Sequence, residues 1–562
     1  MYLRTTKRKN RDGSVVEYYQ LAHNERHPET KVSTPRVIHS FGRADLVDRD
    51  ELVRLCHSIA KVCGLVIHDP LAQGEEPPFE GGLPKEVNLI GTVELGTVVV
   101  IEALWLRLGI GQVFKAVAKS NGCKELYERA LLAMTANRLC EPQSKLGVWE
   151  RWLSQVFLPS CDELKLADMY EAMDLFHQHG SAIEQSIFFA TADLFNLDVD
   201  VVFYDTTTAS FTLDEADGDD EETQQAGLRQ FGRPKDGGWK VQVVVALAVT
   251  REGFPVRSWV FPGNTTDITT VEQVKADLKG WKLGRALFVA DAGMNSEEMR
   301  QALAKACGKY LLAARMASVK EIKQEVLADT RRYRKLKPNL QAKEVIIGEG
   351  VRQRRYIVCY NPKEAARERQ HREQVVKDLK RLLSQHKDQL ATAQWAVTLK
   401  ASGRYGRYLK ITEDNQVCIN QEAIQQAAQY DGKWVIQTND DTITLEDAAC
   451  GYKALLVIEQ CFRSLKQTQI KMTPMFHWLP HRIEVHVKIC VLALLIERVT
   501  EHTCQQPWSR IRHHLRALQA TQFHTKEFCF FQRNQPSKEV SALFNKLNIP
   551  LPKPVLSISP RS

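Results

Sequence analysis

The chain has 562 residues, 44% hydrophobic and 26% charged, more than one hydrophobic core usually organises, so three or four domains are expected. A net charge of +8 permits a polyanionic partner and excludes a histone-like protein. The 13 cysteines form no C-x-x-C pair and no zinc-spaced Cys/His cluster, which argues against a disulfide framework and predicts reduced thiols in a cytoplasmic protein.

The opening residues, MYLRTTKRKNRDG, lack the apolar stretch of a signal peptide. The most apolar run, Ile489 to Ile496, is too short to span a bilayer, so no membrane role is expected. Residues 1–85 alternate β-like runs with turn signals, then show a helical patch from Leu46 to Cys63 and a linker-like GEEPPFEGGLP, predicting an N-terminal β-hairpin domain. Residues 86–197 are spaced as helices and are expected to form a helical DNA-binding domain, with the helices around Val98 and Ala130 as candidates for a major groove.

After Leu197 the runs shorten to strand length: VDVVFYDTT, WKVQVVVALAV and FPVRSWVF, then a helix from Asp267, ALFVAD, a helix from Ser296 and YLLAAR. The order βββαβαβ predicts a mixed sheet with packed helices, an α/β fold of the ribonuclease-H-like, retroviral-integrase-like kind. Residues 198–316 and 446–500 are assigned to this core, 317–445 to an insertion, and 501–562 to a C-terminal tail or helical region. Asp205 and Asp291 follow VVFY and LFVA, where a doubly buried strand first meets solvent and can use a carboxylate. Each also fits a turn-forming Asp. Glu459 lies in LEDAACGYKALLVIEQCFRSLK, read as one amphipathic helix. Seven residues at about 100° each return to within about 20° of the start, which puts Tyr452, Glu459 and Lys466 on one face. A solvated helix face is the other reading of the same residues.

These segments resemble the DDE transposases of bacterial insertion sequences, in the group with a Y-x2-R-x3-E-x6-K signature and a β-rich insertion before the catalytic Glu. The resemblance rests on YDTTTASF at Tyr204, FGRPKDGGWKVQVVVAL at Phe231, FPGNTTD at Phe261, VADAGMNSEEM at Val289 and YKALLVIEQCFRSLK at Tyr452, with TPMFHWLPHRIEVHVKICVLALLI as the closing helical segment. Leu455 stands where the signature has Arg, so a phosphate contact expected there falls to another residue such as Arg463. The resemblance implies that Asp205, Asp291 and Glu459 are catalytic and hold two Mg²⁺ ions, for which Mn²⁺ substitutes, and that Tyr452 and Lys466 grip DNA. It implies cleavage at terminal inverted repeats, attack of the freed 3′-hydroxyl on target DNA, and a homodimer acting on the nucleoid. The alternative is a non-catalytic, transposase-derived DNA-binding protein or another nuclease of the same fold.

Within the insertion, RRYRKLK and RQRRY are the densest basic clusters and are expected to track phosphates. The segment Pro362 to Gln389 reads as a charged, solvated helix, and DEADGDDEE, from Asp214 to Glu222, as a solvated loop without EF-hand spacing. Trp434 in DGKWVIQT is either a core position of a strand or, as the resemblance implies for an inserted β domain, a DNA-binding ring that stacks a displaced base. A tyrosine recombinase, suggested by HHLRALQAT at His513, is disfavoured because no tyrosine follows Tyr452 to serve as nucleophile.

Overall fold

The computed structural model describes residues 2–45 apart from 10–14 and 27–32, scattered positions within 47–59, and 87–560 apart from 198, 214, 219–226, 235–236, 285, 306–307, 351–352, 386–392 and 413–416. The GEEPPFEGGLP stretch, most of the Leu46–Cys63 patch and most of the acidic run fall outside the described residues. The chain divides into two compact units, Met1–Pro84 and Lys85–Ser562.

The first unit contains a three-stranded antiparallel sheet in the order β1 (Tyr2–Lys9), β2 (Val15–Arg26), β3 (Ser33–Arg43). Lys7, Arg8 and Lys9 are exposed on β1, which pairs with β2 from Tyr2↔Ala22 to Lys9↔Val15.

In the second unit, β4 (Asn88–Glu94) leads into a helical stretch whose longer helices are α1 (Gly96–Arg107), α2 (Ile110–Ser120), α3 (Leu126–Cys140), α4 (Leu166–Gln178) and α5 (Gly180–Leu194). The residues of α3 from Ala130 to Cys140 are all buried, and Val98, Val100, Ile101, Leu104 and Trp105 of α1 are buried too. The expectation that the helices around Val98 and Ala130 enter a major groove is therefore corrected: both are packed into the core, and a helix buried around its circumference, as α3 is from Ala130 to Cys140, has no face left for a groove. Strands β5 (Val201–Ser210), β6 (Gln230–Gly232), β7 (Lys240–Val249) and β8 (Pro255–Pro262) follow, then α6 (Asp267–Gly280), β9 (Leu287–Ala290), α7 (Glu297–Ala304) and β10 (Tyr310–Ala314). They assemble as β8-β7-β5-β9-β10, with β7 antiparallel to β5 and β8, and β9 parallel to β5 and β10. Val201 to Tyr204 and Val241 to Val249 are continuously buried, the pattern of strands covered on both faces.

The residues between β10 and Leu445 do not form a separate β domain. Their strands β11 (Arg334–Lys337), β12 (Leu340–Ile347) and β13 (Arg354–Tyr360), and the later β16 (Lys433–Thr438), extend the same sheet in the order β11-β12-β13-β16-β10, while β14 (Leu409–Ile411) and β15 (Val417–Ile419) pair apart from it. The long helix α8 (Pro362–Gln385) is mostly exposed, as expected, and is tied down by Ala365, Val375, Leu379 and a buried Arg372–Asp431 ion pair. After β16 come α9 (Leu445–Lys453), α10 (Leu456–Arg463) and the 25-residue α11 (Pro480–Cys504). The C-terminal strands β17 (Gln519–His524), β18 (Phe528–Arg533) and β19 (Val555–Pro560) form a sheet with β4, Ala520 pairing with Val93. Residues 501–562 are thus a helix-and-sheet closure of the unit, and α11 lends Leu492, Leu494 and Ile496 to the core that holds α1, α3 and α4. Among the described residues no single helix is long and apolar enough to cross a membrane, and the cysteines are free thiols.

Ile436 of β16 is fully buried in the core that also holds Val289 of β9 and Leu311 of β10. Ile436→Ala is expected to cost about 2–5 kcal/mol. Because the inserted strands share that core, urea unfolding should show one transition moved as a whole; a separate early transition confined to the insertion would contradict the shared core.

Candidate active site

Parallel pairing places the two aspartates. Val201, Val202 and Phe203 of β5 lie beside Leu287, Phe288 and Val289 of β9, and two further steps in the same register bring Asp205 opposite Asp291. Neighbouring strands are about 4.8 Å apart, so the backbones at these positions are near neighbours. Asp205 is not at the end of its strand as expected: β5 continues to Ser210 against β7, with Asp205 opposite Leu247. What ends is its parallel neighbour, since β9 stops at Ala290. The carboxylate therefore sits on a rigid strand at the notch where one flank opens.

Alternation decides the face. Val201 and Phe203 belong to the core shared with Ile458, Cys461 and Phe462 of α10, whereas Val202 and Tyr204 point into the opposite core with Val271 and Leu303. Asp205, in phase with Val201 and Phe203, emerges on the α9–α10 side. Its Oδ1 accepts the Thr206 N–H at 2.7 Å. Asp291 is exposed immediately after β9, at the start of a 3-10 turn over Ala292–Met294. The rest of that motif builds scaffold: Asn295 donates to the Ala313 carbonyl at 2.8 Å, and Ser296 caps α7 by accepting from Met299 N–H. The FGR and FPGN glycines also serve the frame, because a Cβ on Gly232 would lie 2.2 Å from Gln242 Nε2 and one on Gly263 2.0 Å from the Gln242 carbonyl oxygen.

The expected single helix is three pieces. Leu455, Val457 and Ile458 N–H groups bond three residues back, to Tyr452, Ala454 and Leu455, tightening the chain between α9 and α10, and Ser464–Thr468 then widens into a π turn. Leu455, Ile458, Cys461, Phe462 and Leu465 are buried, and the helix bends to keep them so. The equal-turn argument for one stripe of Tyr452, Glu459 and Lys466 therefore fails. Tyr452 still reaches Asp291, and Glu459 is carried on the same side of the sheet, because α9 packs on β9 and β10 and α10 on β5 and β7.

Tyr452 Oη donates to Asp291 Oδ1 at 3.2 Å. Burial pushes its hydroxyl up from the ordinary value, and the charges of Asp291, Glu459 and Asp205 push it further. All three carboxylates thus bear on one phenol oxygen. Glu459 itself is exposed in the first turn of α10. Among the described residues no three His, Cys, Asp or Glu side chains are gathered closely enough to hold a metal ion. The donors are nevertheless hard, solvent-reachable oxygens of the kind that divalent magnesium selects, so the donor chemistry fits.

Other expected site residues are spread out. Leu455, in the signature's arginine position, is a core residue, 7% exposed. Arg463 is exposed beside a cavity shared with Glu497, Arg498 and Glu501, and Lys466 is half-buried in the π turn. The Trp434 ring packs against the main core from β16, opposite Cys359, and its Nε1 is buried without a hydrogen-bond partner. Of the basic clusters, Arg354 is held by Glu321 and Glu297, and Arg355 by Glu344 and the carbonyls of Asp440 and Ile443, so these two arginines of RQRRY brace the protein itself rather than track phosphates, while Arg352 lies outside the described residues. Arg334, Lys335 and Lys337 remain exposed on β11, the sheet's edge.

Sequence reasoning missed Glu497. Ser464 Oγ donates to its carboxyl, anchoring the π turn to α11, and burial pushes this carboxyl from an ordinary 4.5 up to about 7.

A mixed sheet in this order, with helices on both faces and acids gathered where β9 ends, fits a ribonuclease-H-like α/β fold. The family description "Transposase DDE domain" matches residues 200–496, and "IS1634 family transposase, N-terminal domain" matches residues 3–69. The chain belongs to the DDE transposases of insertion sequences: it is a DNA transposase, a metal-dependent enzyme of DNA cleavage and strand transfer. No curated protein matches it. Among solved structures it is similar to a piggyBac transposase synaptic complex with hairpin DNA, at 9% identity over 75% of this chain and 79% of that chain, TM-score 0.35. It is also similar to a Mos1 transposase paired-end complex with left transposon end, at 13% identity over 46% and 66%, TM-score 0.13.

Tyr452→Phe removes a hydroxyl that is hydrogen-bonded to Asp291. Loss of such an outer hydrogen bond costs about 10- to 100-fold in metal affinity, so the Mg²⁺ concentration giving half-maximal nicking should rise correspondingly; an unchanged titration would show that the bond is incidental. For Glu497, the folded carboxyl holds its proton up to about pH 7 while the unfolded chain releases it near 4.5, so its contribution to stability is lost as pH rises through that window. Glu497→Gln should flatten this fall in urea midpoints between those two pH values; parallel profiles for the two proteins would refute it.

Proposed function

We propose that Asp205, Asp291 and Glu459 are the catalytic triad of this transposase and hold two Mg²⁺ ions, for which Mn²⁺ substitutes. The observation that carries the reading is the Tyr452 hydroxyl, hydrogen-bonded to Asp291 and under the charge of all three carboxylates. Bound ions would stabilise the charge on the attacking and leaving oxygens of an in-line phosphodiester displacement. Asp205, on the strand beside the notch, would serve both ions, and Asp291 and Glu459 one each. Tyr452 orients Asp291 and, with the phenol kept protonated by its surroundings, donates rather than accepts. Lys466 and Arg463 follow Glu459 on the same segment and serve as phosphate contacts beside the scissile bond.

Cleavage in this reading occurs at terminal inverted repeats, and the freed 3′-hydroxyl attacks target DNA on the nucleoid. Two ends cut together require a homodimer. End recognition passes from the buried α1 and α3 to exposed basic surfaces, foremost Lys7, Arg8 and Lys9 of β1. Packing of Trp434 in the core supports its strand role over base stacking.

Asp205→Asn, Asp291→Asn and Glu459→Gln should each abolish Mg²⁺-dependent nicking of labelled element ends while leaving end binding intact in a mobility shift. Normal cutting by Glu459→Gln would remove it from the triad, and cleavage-free binding by the unmodified protein would favour a non-catalytic binding role.

A further inference from the structure

At the far end of β5 from the carboxylates lies a cavity of about 250 Å³ lined by Phe211, Arg229, Phe476, His477 and Trp478. The Phe476 and Trp478 side chains are 60% and 66% exposed, although large aromatic rings normally contribute buried area. The Arg229 guanidinium lies between two rings, 5.9 Å from the Phe211 centroid and 5.1 Å from that of Trp478. Asp217 holds it as a counter-charge, accepting from Nε at 2.7 Å and from Nη2 at 2.5 Å, and Nη1 is buried without a hydrogen-bond partner.

A second pair repeats the arrangement. Arg233 lies 5.3 Å over the ring of Trp239, which is 64% exposed. Arg229 directly precedes β6 and Arg233 directly follows it, so the two arginine–tryptophan pairs are separated by roughly 13 Å of strand. Phe231, between them, is exposed as well, as is Lys240 across the β6–β7 ladder.

We propose that this surface binds unpaired nucleobases of the DNA substrate, with Trp478 and Trp239 as the stacking faces. Aromatic faces interleaved with cations suit single-stranded nucleic acid, because every base presents a π-face and the exposed Arg233 and Lys240 can meet the phosphates between bases, while Arg229, paired with Asp217, backs the Trp478 ring. A purely apolar protein partner would leave Arg233 and Lys240 desolvated without a counter-charge. Position supports the same occupant. Ser210, at the mouth of the cavity, lies five residues beyond Asp205 on the same strand, roughly 17 Å away. DNA rises about 3.4 Å per nucleotide, so the stacked bases lie about five nucleotides from the scissile phosphate. The inference rests on Asp205 marking that phosphate, and it deepens the transposase reading by adding a site for locally melted DNA.

The test compares binding of duplex element ends with ends carrying a short mismatched bubble about five nucleotides from the cut. Trp478→Ala should weaken binding of the bubble-bearing end by roughly 5- to 100-fold, leave the fully paired end nearly unchanged, and be largely rescued by Trp478→Phe. Trp239→Ala, at a separate exposed ring, should show the same selectivity. Equal losses on both DNAs, or none on either, would overturn the proposal. So would a change in self-association by sedimentation with DNA affinity intact, which would make the patch an interface between copies. Wild-type nicking of fully paired ends reports on the carboxylates independently, so failure of the stacking site and failure of the active-site reading are distinguishable.

Discussion

The arrangement depends on one backbone pairing: the parallel ladder between β5 and β9, which stops where the two aspartates begin. A buried strand has no use for a carboxylate until a neighbour ends and solvent reaches the sheet. Here the neighbour ends on one flank only, because β5 is held by β7 through Ser210. Asp205 is consequently placed by a strand that cannot fray, and Asp291 by the first turn after one that has finished. In the proposed reading, carboxylates on rigid elements would keep the geometry that two-ion chemistry needs.

The third carboxylate arrives by packing. Leu455, Ile458, Cys461 and Phe462 must stay in the core above β5 and β7, and meeting that demand tightens the chain after Tyr452 and widens it after Arg463. Tyr452 is thereby aimed at Asp291 while Glu459 stays in water. The insertion is joined to the same frame, since β16 pairs with β10 from Leu311↔Thr438 to Ala314↔Val435. Strain or loosening in the insertion is therefore felt one strand away from β9, and a core that also takes in α1, α3 and α11 leaves few parts of residues 85–562 to act alone.

Much of this was legible in the sequence. Apolar runs of strand length and their order predicted β5, β7, β8, β9 and β10, and the acids after VVFY and LFVA stood out against continuous burial. The exact end of β5 was not legible, because TTTAS after Asp205 carries β-branched residues that continue a strand as readily as they leave one. The break between α9 and α10 was hidden for a similar reason: no proline or capping residue marks it, and it arises from tertiary packing of Leu455. Trp434 and RQRRY show the limit of local pattern. A tryptophan in a strand and neighbouring arginines look alike whether they meet DNA or, as Trp434, Arg354 and Arg355 do, a core and the protein's own carboxylates and carbonyls. Trp478 and Phe476 lay in a stretch read as part of the closing helical segment, but the helix starts only at Pro480, and only the exposure of these two rings singles them out.

The central claim is that Asp205, Asp291 and Glu459 share one pair of metal ions. Its most direct test is a crystal structure of the protein on an element end with Mn²⁺, located by anomalous scattering. The account predicts two peaks about 3.5–4 Å apart, both touched by Asp205, one by Asp291 and the other by Glu459. A single peak without Glu459, or peaks away from the β5–β9 notch, would contradict it.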